Sequence, residues 1–199
     1  MVALAIFARP PVPGRVKTRL IPELGAEGAA RVYRYCLKHA LAVAQDSQLE
    51  HRVYLSEAGQ DDLFDQRNCV LQQGEDLGAR MLRAFREILD DHADGAIVIG
   101  SDCLDLHHDH LHQAVRALID HDLVLLPAAD GGYALIGCRR AEPTLFAEID
   151  WSSARVLTQT LARARSLDYR VCLLETVRDI DTLQGLKHYP ELLGLIDSV

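Results

Sequence analysis

Four cations crowd one short segment, Arg9-Pro-Pro-Val-Pro-Gly14-Arg15-Val-Lys17-Thr-Arg19, of a chain whose net charge is −8. Arg and Lys are the side chains that grip phosphate, and concentrating them on a stiff loop makes physical sense where an anion sits. Pro10, Pro11, Pro13 and Gly14 forbid helix there and remove several backbone donors. A second set of reactive groups follows the apolar run 95–100, in Gly100-Ser-Asp102-Cys-Leu-Asp105. Hard cations such as Mg²⁺ and Mn²⁺ take carboxylate oxygens and bridge them to substrate phosphates, so Asp102 and Asp105 facing a basic loop would build a metal-plus-phosphate site. Asp105 serves equally as a helix cap or first-turn acid. A charge at the end of a buried strand needs a partner, which makes Asp102 the sharper candidate.

Other segments offer less specific chemistry. Asp130-Gly131-Gly132 signals a hairpin turn, yet two glycines also let backbone approach a ligand closely, with Asp130 projecting at the same place. Asp179 and Asp181, two apart, would share a face of an extended stretch, and Asp181 or Thr182 would alternatively cap a final helix. The turn around Gly74 and Gly78 could present backbone amides to a base or phosphate, or simply shape the chain. His108 and His112 would share a helical face, but without a third placed ligand a polar helix start is the better reading. Gly14-Arg-Val-Lys17-Thr is not a Walker A loop, because Val16 and Pro11 stand where glycines are needed, and no G-x-G-x-x-G follows the first apolar run. ATPase and NAD(P)-dehydrogenase readings both fall.

Positioning these groups falls to alternating apolar runs and helical stretches, the pattern of a layered α/β fold. Strands are expected at 2–8, 51–56, 69–72, 95–100, 122–127, 133–138 and 170–174. Helices are expected at 26–45, 77–91, 108–120, 153–167 (with Ser152 or Ser153 as N-cap) and 182–193. Only five residues, 128–132, separate two of the strands, too few for a helical crossover, so those two should form an antiparallel hairpin in a mixed sheet. In α/β sheets ligands gather at the carboxyl ends of the strands, where most of the groups above fall.

The chain's 199 residues suit one domain, 1–199. Its acidic balance argues against nucleic acid as a partner. Five scattered cysteines without a C-x-x-C pair read as small buried hydrophobes in a reducing compartment. Residues 1–8 lack a basic n-region and no apolar run could span a bilayer, which points to the cytoplasm. The sequence leaves room for a homo-oligomer.

Phe7-Ala-Arg-Pro-Pro-Val-Pro-Gly-Arg-Val-Lys-Thr-Arg-Leu20, Asp76-Leu-Gly-Ala-Arg80, Gly100-Ser-Asp-Cys-Leu-Asp105, Asp130-Gly-Gly-Tyr133, Trp151-Ser152 and Asp179-Ile-Asp-Thr182 occur in one order along the chain. That ordered set resembles the DUF2064 glycosyltransferase-like proteins, bacterial GT-A-fold transferases linked in some genomes to arsenosugar biosynthesis. Their wider relatives are nucleotide-diphospho-sugar transferases, including guanylyltransferases. The resemblance implies a Rossmann-like three-layer α/β/α sandwich with a mixed, mostly parallel sheet. It implies a nucleotide-phosphate role for Arg9, Gly14, Arg15, Lys17 and Arg19, and donor contacts from Asp76, Gly78 and Arg80. Asp102 matches the metal-binding aspartate, with Asp105 beside it, and Asp181 matches a late metal contact. Asp130 matches a substrate- or metal-side acid and, with Lys17, would act at the reacting centre. Leu104 departs from the proline common at that position, and Asp102 and Asp105 stand three apart rather than two.

The expectation is therefore a Mg²⁺- or Mn²⁺-dependent transferase that takes an activated nucleotide donor, a nucleotide sugar first, and a small-molecule acceptor. Nucleotidyl transfer from a nucleoside triphosphate is the alternative built from the same parts. A non-catalytic nucleotide-binding domain is the other.

Overall fold

The computed structural model describes residues 1–59, 61–90, 94–178, 180, 183–189 and 192. The apolar runs become β1 (Val2–Ala8), β2 (His51–Leu55), β3 (Cys69–Leu71), β4 (Gly95–Gly100), β5 (Leu123–Pro127), β6 (Tyr133–Cys138) and β7 (Val171–Leu173). Between and after them lie α1 (Ile21–Asp46), α2 (Leu77–Asp90), α3 (His108–Ala117), α4 (Pro143–Phe146), α5 (Val156–Ser166) and α6 (Leu183–Leu186). The strands form one sheet in the order β3-β2-β1-β4-β6-β5-β7. β6 runs antiparallel to both neighbours and the remaining pairings are parallel. The mixed sheet expected from the short 128–132 connection is what forms.

Because side chains alternate along a strand, each strand feeds two cores. Leu4, Ile6, Ile97, Ile99, Val124 and Leu126 pack on one face, against Leu37 and Ala44 of α1 and Leu111 and Ala114 of α3. Ala5, Val98, Leu123, Leu125 and Ile136 pack on the other, against Met81 and Phe85 of α2, Phe146 of α4 and Ala164 of α5. The sheet is thus sandwiched between helical layers. A smaller cluster packs Ile180, Leu186, Tyr189 and Leu192 against Leu20, just before α1, and Val32 and Cys36 within it.

Some boundaries differ from expectation. Gly25, at φ +68°, kinks α1 after its first turn, so regular helix begins near the expected residue 26. α5 starts at Val156 with no side-chain cap, because Ser152 takes φ +66° and Ser153 instead accepts the Arg155 N–H at 3.2 Å, in the turn before the helix. Cys36, Cys103 and Cys138 are buried as expected, whereas Cys69 and Cys172 are half-buried; none of the five is in a disulfide.

One acidic residue stitches the far side of the sheet. Asp122 accepts the Arg170 backbone N–H at 3.0 Å and pairs with the guanidinium groups of Arg140 and Arg170 at 3.3 and 3.5 Å. The Arg170 amide, burial working against it and the two guanidinium groups with it, holds the carboxyl below its ordinary range. Such a group stabilises the fold fully above the unfolded carboxyl pKa, about 3.9, and loses that contribution as pH falls through the lowered folded value. Asp122→Asn is expected to cost roughly 1–2 kcal/mol at pH 7, with wild type and variant converging in strong acid. Urea denaturation at pH 7 and pH 3 checks this; a gap that stays constant across the range would show that the charge contributes nothing.

The chain path also makes a crevice. From β1 it moves outward through β2 to β3, then returns to lay β4 on the other flank of β1, the arrangement that leaves a gap where neighbouring strands exit in opposite directions. Phe7 pairs with Gly100 at the last rung, so Arg9 and Ser101 leave side by side.

Candidate active site

At that gap the basic loop is held from within. Arg15 N–H donates to Val12 carbonyl at 3.0 Å, with Pro13 and Gly14 (φ +81°) at the turn's centre, the residue order a type II turn demands. Val16 and Leu20, buried at 2% and 0% exposure, anchor either side of Lys17. Between these anchors Lys17 takes the left-handed conformation, φ 44° and ψ 44°, which costs a non-glycine residue on the order of 1 kcal/mol. The strained backbone sends its side chain, 3% exposed, toward Asp102, with Nζ 3.4 Å from Oδ2. Asp102 remains open at 52%. A nearly buried ammonium thus lies beside a solvent-facing carboxylate.

The other cations are distributed differently. Arg15 turns to Glu57, at 2.8 Å, instead of joining Lys17 at Asp102. That pair is 64% and 43% exposed and therefore worth about 0–1 kcal/mol, little resistance to a more highly charged anion. Arg9 and Arg19 are exposed on the rim.

Asp105 makes its hydrogen bonds away from Lys17 and the basic loop. Its Oδ2 accepts the Arg178 N–H at 3.1 Å and its Oδ1 the Tyr189 hydroxyl at 2.7 Å, so both oxygens pin the C-terminal segment. Asp105, expected beside Asp102 as a second metal carboxylate, thus also clamps the C-terminal segment, with one hydrogen bond on each of its oxygens. Asp181 lies outside the described residues, as do Asp179 and Thr182. Among the described residues no group of three His, Cys, Asp or Glu could hold a metal ion. In the histidine run, His112 Nε2 lies 3.1 Å from the Ser47 carbonyl and His107 N–H donates to His110 Nδ1 at 3.0 Å.

Asp130 occupies the tip of the β5–β6 hairpin, at the same sheet edge, because β6 enters beside the exit of β4. One carboxylate oxygen accepts Gly132 N–H at 2.9 Å, which fixes an exposed acid in one orientation. Tyr133 turns its hydroxyl into the protein near Thr160, and burial raises its pKa.

Asp76, Gly78 and Arg80 build the start of α2. Asp76 accepts Ala79 N–H at 2.7 Å as an N-cap, and Arg80 Nε donates to the Gly74 carbonyl at 3.1 Å. A Cβ on Gly78 would lie 2.7 Å from the Trp151 ring, so its glycine is explained by packing. All three of these residues, expected to contact a donor, thus also hold the entry to α2.

One residue at the site gave no signal in the sequence beyond its apolar spacing. Tyr33 of α1 is 4% exposed, and its hydroxyl accepts the Arg9 N–H at 2.7 Å, lies 3.2 Å from the Arg9 carbonyl and 2.8 Å from Ser101 Oγ. A separate depression of about 620 Å³, lined by Glu50, His51, Arg52 and Arg67 among others, sits at the amino ends of β2 and β3. It lies at the opposite edge of the sheet and contains none of the residues expected to do chemistry. No helix among the described residues is long and apolar enough to cross a membrane.

A candidate nucleotide-diphospho-sugar transferase from Desulfovibrio desulfuricans G20 is 31% identical, with a TM-score of 0.87 over 93% of this chain and 84% of its own. CMP:2-keto-3-deoxy-manno-octonic acid synthetase, solved with CTP, shares the fold at a TM-score of 0.59 and 12% identity, over 97% of this chain and 98% of its own. Rv0371c from Mycobacterium tuberculosis H37Rv, solved with manganese, does so at 0.56 and 15%, over 100% and 99%. No curated protein matches the sequence. The profile of the DUF2064 family, described as uncharacterized protein conserved in bacteria, matches residues 35–153. The chain therefore belongs to the DUF2064 family and is a transferase-like protein on the nucleotide-diphospho-sugar transferase fold.

Proposed function

We propose that this domain transfers a group from an activated nucleotide donor, a nucleotide sugar, to the hydroxyl of a small acceptor. The observation that carries the reading is Lys17 beside Asp102 at the β1/β4 crevice. The name and 31% identity of the Desulfovibrio protein support it.

In this reading the donor diphosphate lies over the β1 loop. Lys17 binds it, with a side chain already aimed by the strained backbone, so little conformational freedom is lost on binding. Arg9, Arg15 and Arg19 meet its outer oxygens, Arg15 by exchanging Glu57 for phosphate. Asp102 would hold Mg²⁺ or Mn²⁺; one open carboxylate fits an ion that keeps several waters and takes substrate phosphates rather than an all-protein cage. When bound, such an ion neutralises charge developing on the leaving diphosphate. Asp130, held by its own turn, orients the acceptor hydroxyl and takes its proton. The Asp76–Arg80 turn serves by shaping the rim.

A thermal-shift screen of nucleotides and nucleotide sugars, with and without Mn²⁺, tests this directly. A nucleoside diphosphate sugar at about 100 times its Kd should stabilise by about 2.7 kcal/mol, roughly 5–10 °C in Tm, with Mn²⁺ and far less without. Product analysis then separates the chemistries: nucleoside diphosphate release supports glycosyl transfer, whereas pyrophosphate release from a triphosphate replaces it with nucleotidyl transfer. Binding without turnover of any donor would make the domain a sensor, and stabilisation by no ligand would end the reading.

A further inference from the structure

We infer that the Tyr33 hydroxyl is a positioning group which sets the spacing between the phosphate loop and Asp102. This deepens the reading above and rests on it. Regular pairing between β1 and β4 ends at Phe7 and Gly100, so nothing in the strand ladder fixes how the two exits run beyond that rung. Tyr33 bridges them two residues past one end and one past the other. Its oxygen accepts Arg9 N–H and lies within hydrogen-bond distance of the Arg9 carbonyl and of Ser101 Oγ, itself only 4% exposed. One assignment of protons satisfies every group: Tyr33 O–H donates to Arg9 carbonyl, while Arg9 N–H and Ser101 O–H donate to Tyr33.

That oxygen contributes nothing to the core around it. Phenylalanine would fill the same space among Leu4, Ile6 and Leu37 without burying a polar atom. What the hydroxyl adds is a link between Arg9, which opens the loop carrying Lys17, and Ser101, which precedes Asp102. Burial raises its pKa, so it stays protonated and able to donate at neutral pH. A displacement of one exit is thereby transmitted to the other, and the Lys17–Asp102 separation is held for a diphosphate and its cation.

The test compares wild type with Tyr33→Phe, Ser101→Ala and the double variant. Calorimetry with inorganic pyrophosphate and Mn²⁺ probes the site, and trypsin cleavage after Arg15, Lys17 and Arg19 reports the loop. Each single substitution should weaken binding roughly tenfold and hasten cleavage, and the double should be no worse than the more damaging single, because both break one link. Phe85→Leu, in the opposite core, should lower Tm comparably and leave affinity unchanged. Wild-type affinity in Tyr33→Phe, or single effects that simply add, would overturn the inference. If wild type binds no pyrophosphate with Mn²⁺, the donor reading fails, and with it the functional role of the spacing. Cleavage at the wild-type rate in Tyr33→Phe would refute the link itself, whatever binds.

Discussion

Asp102→Asn is expected to remove metal-dependent donor binding while leaving the fold intact. Asparagine keeps the size of the side chain and one oxygen, so steric disturbance at a residue whose side chain is 52% exposed is slight. What it removes is the negative charge that a hard cation requires, since an amide oxygen competes poorly with a carboxylate for Mg²⁺ or Mn²⁺. It also removes the counter-charge 3.4 Å from the Lys17 ammonium. The expected loss is roughly 100-fold in affinity for a nucleotide sugar with Mn²⁺, about 2.7 kcal/mol, and little change without metal. Lys17→Met separates the two contributions: it should weaken phosphate binding with and without Mn²⁺, because the direct contact is lost in both cases. Isothermal titration of both variants, with circular dichroism to confirm folding, decides the matter. Equal donor affinity of Asp102→Asn and wild type in saturating Mn²⁺ would remove the cation from this site.

The site was legible where local chemistry determines it. Pro13-Gly14 announces a turn because proline fixes φ and glycine accepts φ +81°, and the five-residue link before Tyr133 admits only a hairpin. Lys17 meeting Asp102 followed from two strands whose carboxyl ends carry opposite charges, once both lie in one parallel sheet. Partner choice across long separations was not legible. Arg15 pairs with Glu57, 42 residues on, and nothing in the basic loop marks that residue in advance. Asp105 reads as a metal acid or a helix cap from its neighbours, and neither reading announces its hydrogen bonds to Arg178 and Tyr189, more than 70 residues away. Asp76 is marked only through motif resemblance, which does not anticipate its hydrogen bond to Ala79 N–H at the start of α2. Tyr33 fell on the apolar stripe of α1, where periodicity reports only that a side chain is buried, never what its polar tip reaches. The fold tolerates such blindness because its cores depend on apolar pattern; the site depends on a few polar pairings, and pattern does not encode those.

Gly131→Ala is expected to be the most damaging single-methyl change at the site. Gly131 takes φ +91°, a conformation side chains rarely adopt, and its N–H donates to Ala128 carbonyl at 3.0 Å. Its carbonyl accepts Leu157 N–H at 2.9 Å, so the hairpin satisfies a donor in the first turn of α5. A Cβ there would lie 2.3 Å from the Ala154 carbonyl oxygen and 2.7 Å from Ala154 Cα. Those are backbone atoms, which cannot rotate aside, so the hairpin and the start of α5 must separate. Conformational strain and the lost packing together should cost roughly 3 kcal/mol or more, read as a lowered urea midpoint. Asp130 moves with the hairpin, so turnover should fall further than stability alone explains. Gly132→Ala provides the contrast: the atoms nearest its Cβ would be those of the Asp130 carboxylate, at 3.2 Å, a side chain that can shift by breaking one hydrogen bond. That variant should stay within about 1 kcal/mol of wild type in stability yet lose turnover, because the group it pushes is the acid itself. If Gly131→Ala unfolds at the wild-type urea midpoint, the hairpin does not dock on α5 as described; if Gly132→Ala keeps full turnover, Asp130 is not the base.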